Sequence, residues 1–489
     1  MSILDLTISE IHQALVNKTT TPVELVKEAL ARAKANNDNA FEILIEEQAI
    51  KEAEALGEPE VDNPFWGIPF VLKDNFSTKG IETTASSNIL NGYIPLFDAT
   101  VYAKLKKKKA ILIGKTTLDE LAMGGTGTTG HKGTTFNPWD PKHERLVGGS
   151  SCGSAACVSA GIVPFAMGSD TGDSVRKPAS YAGLVGFKPS WGRISRYGLF
   201  PFAPSLDHVA YFTRDVKDAA LLLDVLAGRD LHDATSSLEP VERYEEDLSA
   251  PLKGKKIAVI DDIVQTISDQ KIQLAFKRSC EELAKQGAII EHIRFGEDLL
   301  QSIYATYIVI SCSEATSNDA NLDGIKFGPF YPGKTYQEVM FNARTKGFSE
   351  LIKRRFVIGS FSLMSENQDI LFRRAQKNRR KIVNRLNEIL AKVDAIYVPA
   401  APSVAPKIVS SSYKLSDEYL IADNHLALGN FGGLPSITLP LMLEDGLPVG
   451  VNLTGAAFEE KKLLSLAAGL ERITGLANLS VLNKKEGNL

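Results

Sequence analysis

The sequence predicts an α/β protein, and three observations carry that prediction. After Pro64 the chain breaks into short apolar runs, "IPFVL", "AILIG", "IVPFAM", "KIAVI", "AIIEHI" and "AIYVPA", each the length of a buried strand. Helical patterns such as "KIQLAFKRSCEELAKQ" alternate with several of them, which is the order expected of substantially parallel strands joined by crossovers. The 489 residues are enough to bury a large core without disulfide or metal staples.

Taken in chain order, the first section, residues 1–60, reads as helical. In "TTPVELVKEALARAK", Thr21 is the N-cap, Pro22 occupies the first helical position and Glu24 completes a capping box. From 61 to 489 neither a fixed-period repeat nor a long Pro- or Ser-rich linker interrupts the pattern, so one continuous large domain is expected. The small-residue stretch "GGSSCGSAACVSAG", 148–161, has the composition of a linker, yet its alanines and cysteines and the apolar run behind it predict a tightly packed helix. The basic stretches 104–109 and 373–385 read as solvated helix faces, with contact to RNA or a partner as the alternative.

Composition narrows the function. The 55 basic and 59 acidic residues leave a net charge of −4, which argues against a generic nucleic-acid or membrane binder. Cys152, Cys157, Cys280 and Cys312 are scattered and unpaired with histidines, so neither a disulfide framework nor a metal site is expected. The most apolar stretch is broken by Gly161 and Pro164 well short of a membrane span, and the N-terminus is polar and amphipathic. These features lead to the expectation of a soluble, uncleaved protein of a reducing cytoplasm.

Two motif matches lack their context. "GTGTTG", 125–130, follows "LDELAM", read as helical, instead of a strand, and His131 stands where a phosphate-binding lysine is needed. "GSSCG", 149–153, places Ser151 in a G-x-S-x-G pattern, but "KHERLV" before it is a poor strand. The downstream histidines, His208, His232, His292 and His425, stand in no distinctive stretch, so this elbow is the runner-up chemistry.

A stronger constellation joins Lys73, at the end of "IPFVLK", to Ser150 in "GGSSCGS" and Ser174 in "GSDTGDSVRKPAS". A lysine closing a buried strand is a snorkelling group or a base whose pKa burial has lowered. A serine needs such a neighbour to accept its proton before it becomes an effective nucleophile. Ser150 lies between the two as a relay, and the successive N–H groups of Thr171, Gly172, Asp173 and Ser174 are placed to form an oxyanion hole. Asp170 and Arg176 flank that turn as expected structural charges.

These segments resemble the amidase signature family, whose "GGSSGGS" appears here as "GGSSCGS" and whose "GSDTGGSIRQPA" appears as "GSDTGDSVRKPA". "GIPFVLKDN" matches its lysine segment, and the two serines stand 174 − 150 = 24 positions apart, the family's separation. The resemblance covers nearly the whole chain. It implies an α/β fold with a large twisted mixed sheet flanked by helices on both faces. Ser174 becomes the nucleophile, Ser150 a serine preceded by an unusual peptide geometry and Lys73 the base.

Further stretches, among them "GKTTLDELAMG", "SEATSNDANLDGIKFG" and "KRRFVIGSF", resemble the branch of that family whose members are glutamine-hydrolysing A subunits of tRNA-dependent amidotransferases. That resemblance implies ammonia production for amidation of Glu-tRNA(Gln), with Asp-tRNA(Asn) as a second acceptor. It implies a heterotrimer with a B subunit that binds tRNA, ATP and Mg and a small C subunit, and no cofactor in this chain. It maps Arg355 and Asp423 onto glutamine's α-carboxylate and α-amine, with Arg354 as the adjacent-register alternative, and Tyr307 onto a substrate contact. The competing readings are a stand-alone amidase and a catalytically silent assembly subunit. Two departures stand out: Asp173 replaces the second glycine of "TGGS", and Cys152 replaces a glycine of the serine-rich turn.

Overall fold

The computed structural model describes residues 2–265, 267, 269–408, 425–484 and 487–488. Its first three strands are β1 (Phe41–Leu44), β2 (Pro69–Lys73) and β3 (Ile111–Thr116), followed by β4 (Ala166–Asp170), β5 (Val185–Lys188) and β6 (His208–Thr213). The second half supplies β7 (Lys256–Ile260), β8 (Ile289–Ile293), β9 (Ala395–Pro399), β10 (Ser436–Glu444) and β11 (Leu447–Thr454). All eleven form one mixed sheet in the order β1-β3-β2-β4-β6-β5-β10-β11-β9-β7-β8.

The six apolar runs read from sequence end in β2, β3, β4, β7, β8 and β9, and these pair in parallel within two groups, β3-β2-β4 and β9-β7-β8. The expectation of a substantially parallel sheet is corrected at its centre. There β6, β5, β10 and β11 bridge the groups by antiparallel pairing. β10 escapes an alternation search because Pro440 interrupts it, next to a register shift between Pro440 and Met442.

The N-terminal helix Pro22–Ala35 carries the capping box read from sequence: the Glu24 N–H donates to Thr21 Oγ1, and Glu24 Oε2 accepts from the Thr21 N–H at 2.9 Å. The first sixty residues also contribute β1, an edge strand antiparallel to β3, so that section is not wholly helical. Four residues of alternating character between two helices give too short a period-two signal to stand out. Ile8, Leu15, Leu25 and Ala49 share a buried cluster with β2 and β4, so this section packs on the main core.

Alternation along β7 and β9 divides that core. Ile257, Val259, Ala395 and Tyr397 join one cluster, and Ala258, Ile260, Ile396 and Val398 join another. Since successive side chains point to opposite faces of a strand, helices cover this part of the sheet on both sides. The second cluster holds the helix Ile303–Asn318, and Ile352 of the helix Glu350–Leu363 packs there too. No described helix is long and apolar enough to cross a membrane.

Two neighbouring strand ends place the chemistry. β2 and β4 run parallel, with Leu72 opposite Met167, so Lys73 and the Ser169–Asp170 pair emerge at the same carboxyl edge. Between β3 and β4 the chain crosses through the small-residue helix Cys152–Ser159, whose start delivers Ser150 and Ser151 to that edge. Gly153 lets this helix approach closely, because a Cβ there would lie 2.3 Å from the Ala40 carbonyl oxygen.

Candidate active site

Lys73 is fully buried. Its Nζ donates to Ser150 Oγ at 2.8 Å and to Ser169 Oγ at 2.9 Å, with the Ser169 carbonyl at 3.4 Å. Burial pulls its pKa down to about 7, while the negative charges of Asp119, Asp170 and Asp207 act in the opposite direction. Among the described residues no carboxylate forms an ion pair with it, so a neutral amine is accessible near neutral pH and can accept the Ser150 proton.

The Gly149–Ser150 peptide bond is cis. Its surroundings explain the "GTGTTG" match that failed as a nucleotide motif. Asp119 gathers that loop, accepting from the N–H groups of Thr126, Gly127, Thr128 and Thr129 at 2.9–3.1 Å and from Thr129 Oγ1 at 2.8 Å. The loop then holds the serine segment: the Gly149 N–H donates to the Gly125 carbonyl, and the Asp119 N–H donates to the Ser150 carbonyl. A Cβ on Gly149 would come within 2.0 Å of Asp119 Oδ2, so only glycine fits. The "LDELAM" stretch ahead of it is no regular helix but a single 3-10 turn, with Leu121 at φ 52° and Ala122 at φ 60°.

The turn after β4 is built around a buried ion pair. Arg176 Nη2 lies 2.9 Å from Asp170 Oδ1, and Arg176 Nε donates to Asp170 Oδ2 at 3.1 Å. Although burial alone would raise it, the guanidinium holds the Asp170 carboxyl well below its ordinary pKa. Asp170 also accepts from the Val175 N–H, and Asn430 Nδ2 donates to it at 3.0 Å.

Arg176 Nη2 reaches on to the carbonyl oxygen of Gly172 at 2.8 Å. The Gly172–Asp173 peptide is trans, so its N–H points away from that carbonyl and from Arg176. Among the described residues the N–H groups of Gly172, Asp173 and Ser174 have no protein acceptor, the condition for an anion nest. The Thr171 hydroxyl donates to Asp207 at 2.6 Å and steadies the start of the turn.

Ser174 is buried, and its carbonyl accepts from the Ser151 N–H at 3.1 Å, which ties the two serine segments together. Its hydroxyl has no hydrogen-bond partner among the described residues, so the link from Ser150 to Ser174 is not closed here. Such links commonly tighten only when substrate binds. Ser151, the runner-up nucleophile, donates its hydroxyl to the Ser169 carbonyl at 3.1 Å, and none of the downstream histidines hydrogen-bonds to it.

On the substrate side, Tyr307 lies against the same turn. A Cβ on Gly172 would sit 3.0 Å from the Tyr307 ring. Arg355 is 2 % exposed, its guanidinium faces Phe202 at 5.8 Å, and among the described residues its Nε and Nη1 have no hydrogen-bond acceptor. Buried donors without acceptors are costly unless a ligand supplies them. Arg354, the neighbouring candidate, is half-buried and has an interaction partner of its own. Asp423 lies outside the described residues.

Both departures are accommodated. Asp173 is buried, and its carboxylate lies 3.3 Å from the Lys177 ammonium. Burial pushes the Cys152 thiol up to about 12, so it stays protonated and fills space beside Gly127 and Thr117.

Sequence reasoning passed over Ser169, Asp119 and Asn430. Ser169 bonds both Lys73 and Asn75 from inside the quoted "GSDTG" stretch, so its signal was adjacency. Asn430 lies far along the chain and carried none, although its amide joins Asp170, the Leu206 carbonyl and Arg176.

Known proteins share this architecture. The amidase family model matches residues 24–464. The A subunit of glutamyl-tRNA(Gln) amidotransferase from Streptococcus pneumoniae is 40 % identical over 476 residues, covering 96 % of each chain. The protein of that name from Pediococcus pentosaceus is 39 % identical over 482 residues, covering 97 % of this chain and 98 % of the relative. The crystal structure of the A subunit of glutamyl-tRNA(Gln) amidotransferase from Thermotoga maritima superposes with a TM-score of 0.79 at 35 % identity, covering 99 % of this chain and 97 % of that one. A family match across most of its length, relatives of such coverage and a shared fold together establish that this chain belongs to the amidase family.

Proposed function

We propose that this chain is the glutamine-hydrolysing A subunit of a tRNA-dependent amidotransferase, working in the cytoplasm. The observation that carries the reading is the buried 2.8 Å contact between Lys73 and Ser150, set beside a turn that presents Ser174 under unpartnered backbone N–H groups. Neutral Lys73 takes the Ser150 proton as Ser150 takes that of Ser174, and the Ser174 oxygen attacks the side-chain carboxamide carbon of glutamine. The resulting oxyanion is received by the N–H groups of the Thr171–Ser174 turn. The proton returns through Ser150 to the departing nitrogen, ammonia leaves, and water cleaves the remaining γ-glutamyl ester to give glutamate.

The unpartnered donors of Arg355 support an acid-bearing substrate over a plain amide, since a guanidinium and a carboxylate make two parallel hydrogen bonds. Tyr307 closes the wall between that guanidinium and the nucleophile turn, and Asp423 is assigned to the α-amine. A B subunit, which carries tRNA, ATP and Mg2+, and a small C subunit complete the assembly, with Glu-tRNA(Gln) as acceptor and Asp-tRNA(Asn) as a second. The relatives' names, each an A subunit of glutamyl-tRNA(Gln) amidotransferase, support a multi-subunit enzyme.

The test is ammonia release from glutamine by the chain alone and by the complex reconstituted with B and C subunits, with Ser174→Ala as control. Hydrolysis that depends on Ser174 and feeds amide formation on Glu-tRNA(Gln) supports the reading. Hydrolysis of simple amides with no activity on glutamine sinks it.

A further inference from the structure

We propose that Lys177 is a positioning residue for the oxyanion hole, cancelling the charge that Asp173 brings onto one of its donor residues. The inference rests on the glutaminase reading above. Asp173 and Lys177 stand where the family string has glycine and glutamine, so this chain adds a carboxylate and its counterion together, four residues apart. The two side chains meet at 3.3 Å, and the Lys177 N–H donates to the Asp173 carbonyl at 2.9 Å, which holds the pair on one helical turn.

The need for compensation follows from placement. The Asp173 side chain is 1 % exposed, so water does not screen it, and it grows from the residue whose N–H is turned away from Arg176. An uncompensated carboxylate there opposes negative charge developing beside it. Arg176 favours the Asp173 carboxylate through space, but its donors are engaged by Asp170, Gly172, Leu426, Asn430 and Ser436, so it makes no hydrogen bond to Asp173. Asp170 on the same turn is paired with Arg176, yet its negative charge still bears on Asp173 and adds to the need for a counterion. Tyr181 lies one further turn along the same helix, Tyr307 faces the turn from its own helix against Gly172, and the Arg355 charge acts on Tyr307. Neither tyrosine carries positive charge, which leaves the Lys177 ammonium as the group that contacts Asp173.

The experiment is a double-mutant cycle of wild type, Asp173→Asn, Lys177→Met and the double variant, in the complete chain with its partners. Asparagine keeps the backbone N–H and methionine keeps most of the lysine stem. The readouts are kcat and KM for glutamine, and the rate at which a fluorophosphonate probe labels Ser174. Lys177→Met is expected to lower kcat and labelling about tenfold or more with little change in KM. Asp173→Asn introduced into Lys177→Met should recover most of the kcat and labelling that Lys177→Met loses, so that the second change rescues the first. Lys177→Arg should also rescue.

Because a protonated Asp173 carries no charge, the gap between wild type and Lys177→Met should narrow as pH falls, while loss of the Lys73 base lowers both proteins alike. Additive effects, or a Lys177→Met defect confined to thermal stability, overturn the proposal. So does a rise in KM for glutamine, but not for a small primary amide, in Asp173→Asn, since that marks Asp173 as a ligand for the α-amine. Wild type that labels at Ser174 yet leaves glutamine intact overturns the glutaminase reading alone, and the cycle is then read from labelling rates.

Discussion

The carbonyl oxygen of Gly172 is held at 2.8 Å by Nη2 of Arg176, and this contact sets the direction in which the Asp173 N–H points. Arg176→Lys keeps a positive charge but loses the fork that grips Asp170 and Gly172 together. We expect kcat to fall about a hundredfold, the scale of losing one oxyanion donor. Folding stability should drop by about 1–3 kcal/mol in denaturant titration, the scale of a buried hydrogen-bonding group left unsatisfied. A variant of wild-type kcat would separate Arg176 from the hole.

Lys73 acts in its neutral form, and burial brings its pKa to about 7. Protonation below that value removes the acceptor, so turnover should rise with pH through about 7 and level off above it. Lys73→Arg keeps a charge that does not dissociate in proteins, and should leave a folded but inactive chain. A flat pH–rate profile on both sides of neutrality would remove Lys73 from the relay.

Ser174→Ala should lower glutamine hydrolysis by about a thousandfold or more, because the covalent route disappears. Ser151→Ala should cost about 1–3 kcal/mol of stability, from the buried hydrogen bond to the Ser169 carbonyl, with a far smaller effect on rate. The reverse pattern in side-by-side kinetics would reinstate Ser151 as nucleophile.

Arg355→Met should reduce kcat/KM for glutamine by about 2–5 kcal/mol in barrier terms, by analogy with truncated charge pairs, and leave a small aliphatic amide unaffected. Equal losses on both substrates would mark Arg355 as a support of the fold.

Asp119→Ala removes the acceptor of four backbone N–H groups and should lower stability by about 2–4 kcal/mol, with loss of Ser174 labelling as the serine segment loosens. Thermal unfolding and probe labelling measured on one sample test both parts. Full labelling in a destabilised variant would confine Asp119 to a structural role.

The sequence by itself determined the elements whose signals are local. The capping box at Thr21, the parallel strands built from unbroken apolar runs and the small-residue helix after Ser151 each depend on neighbours along the chain, and each is present in the structure. Lys73, Ser150 and Ser174 were legible because the chemistry needs those residue types in a recognisable pattern. Tertiary structure decided what depends on distant neighbours. β5, β6, β10 and β11 form the antiparallel centre only because they meet each other across the sheet. Asn430 reaches Asp170 across a separation of 260 residues. Lys115, Lys188 and Lys73 are all fully buried, but only Lys73 faces two serine hydroxyls; Lys115 is paired with Asp74, and Lys188 donates to the Leu434 carbonyl. Burial and the partners it brings set a lysine's proton affinity, and the chain acquires both only when it folds.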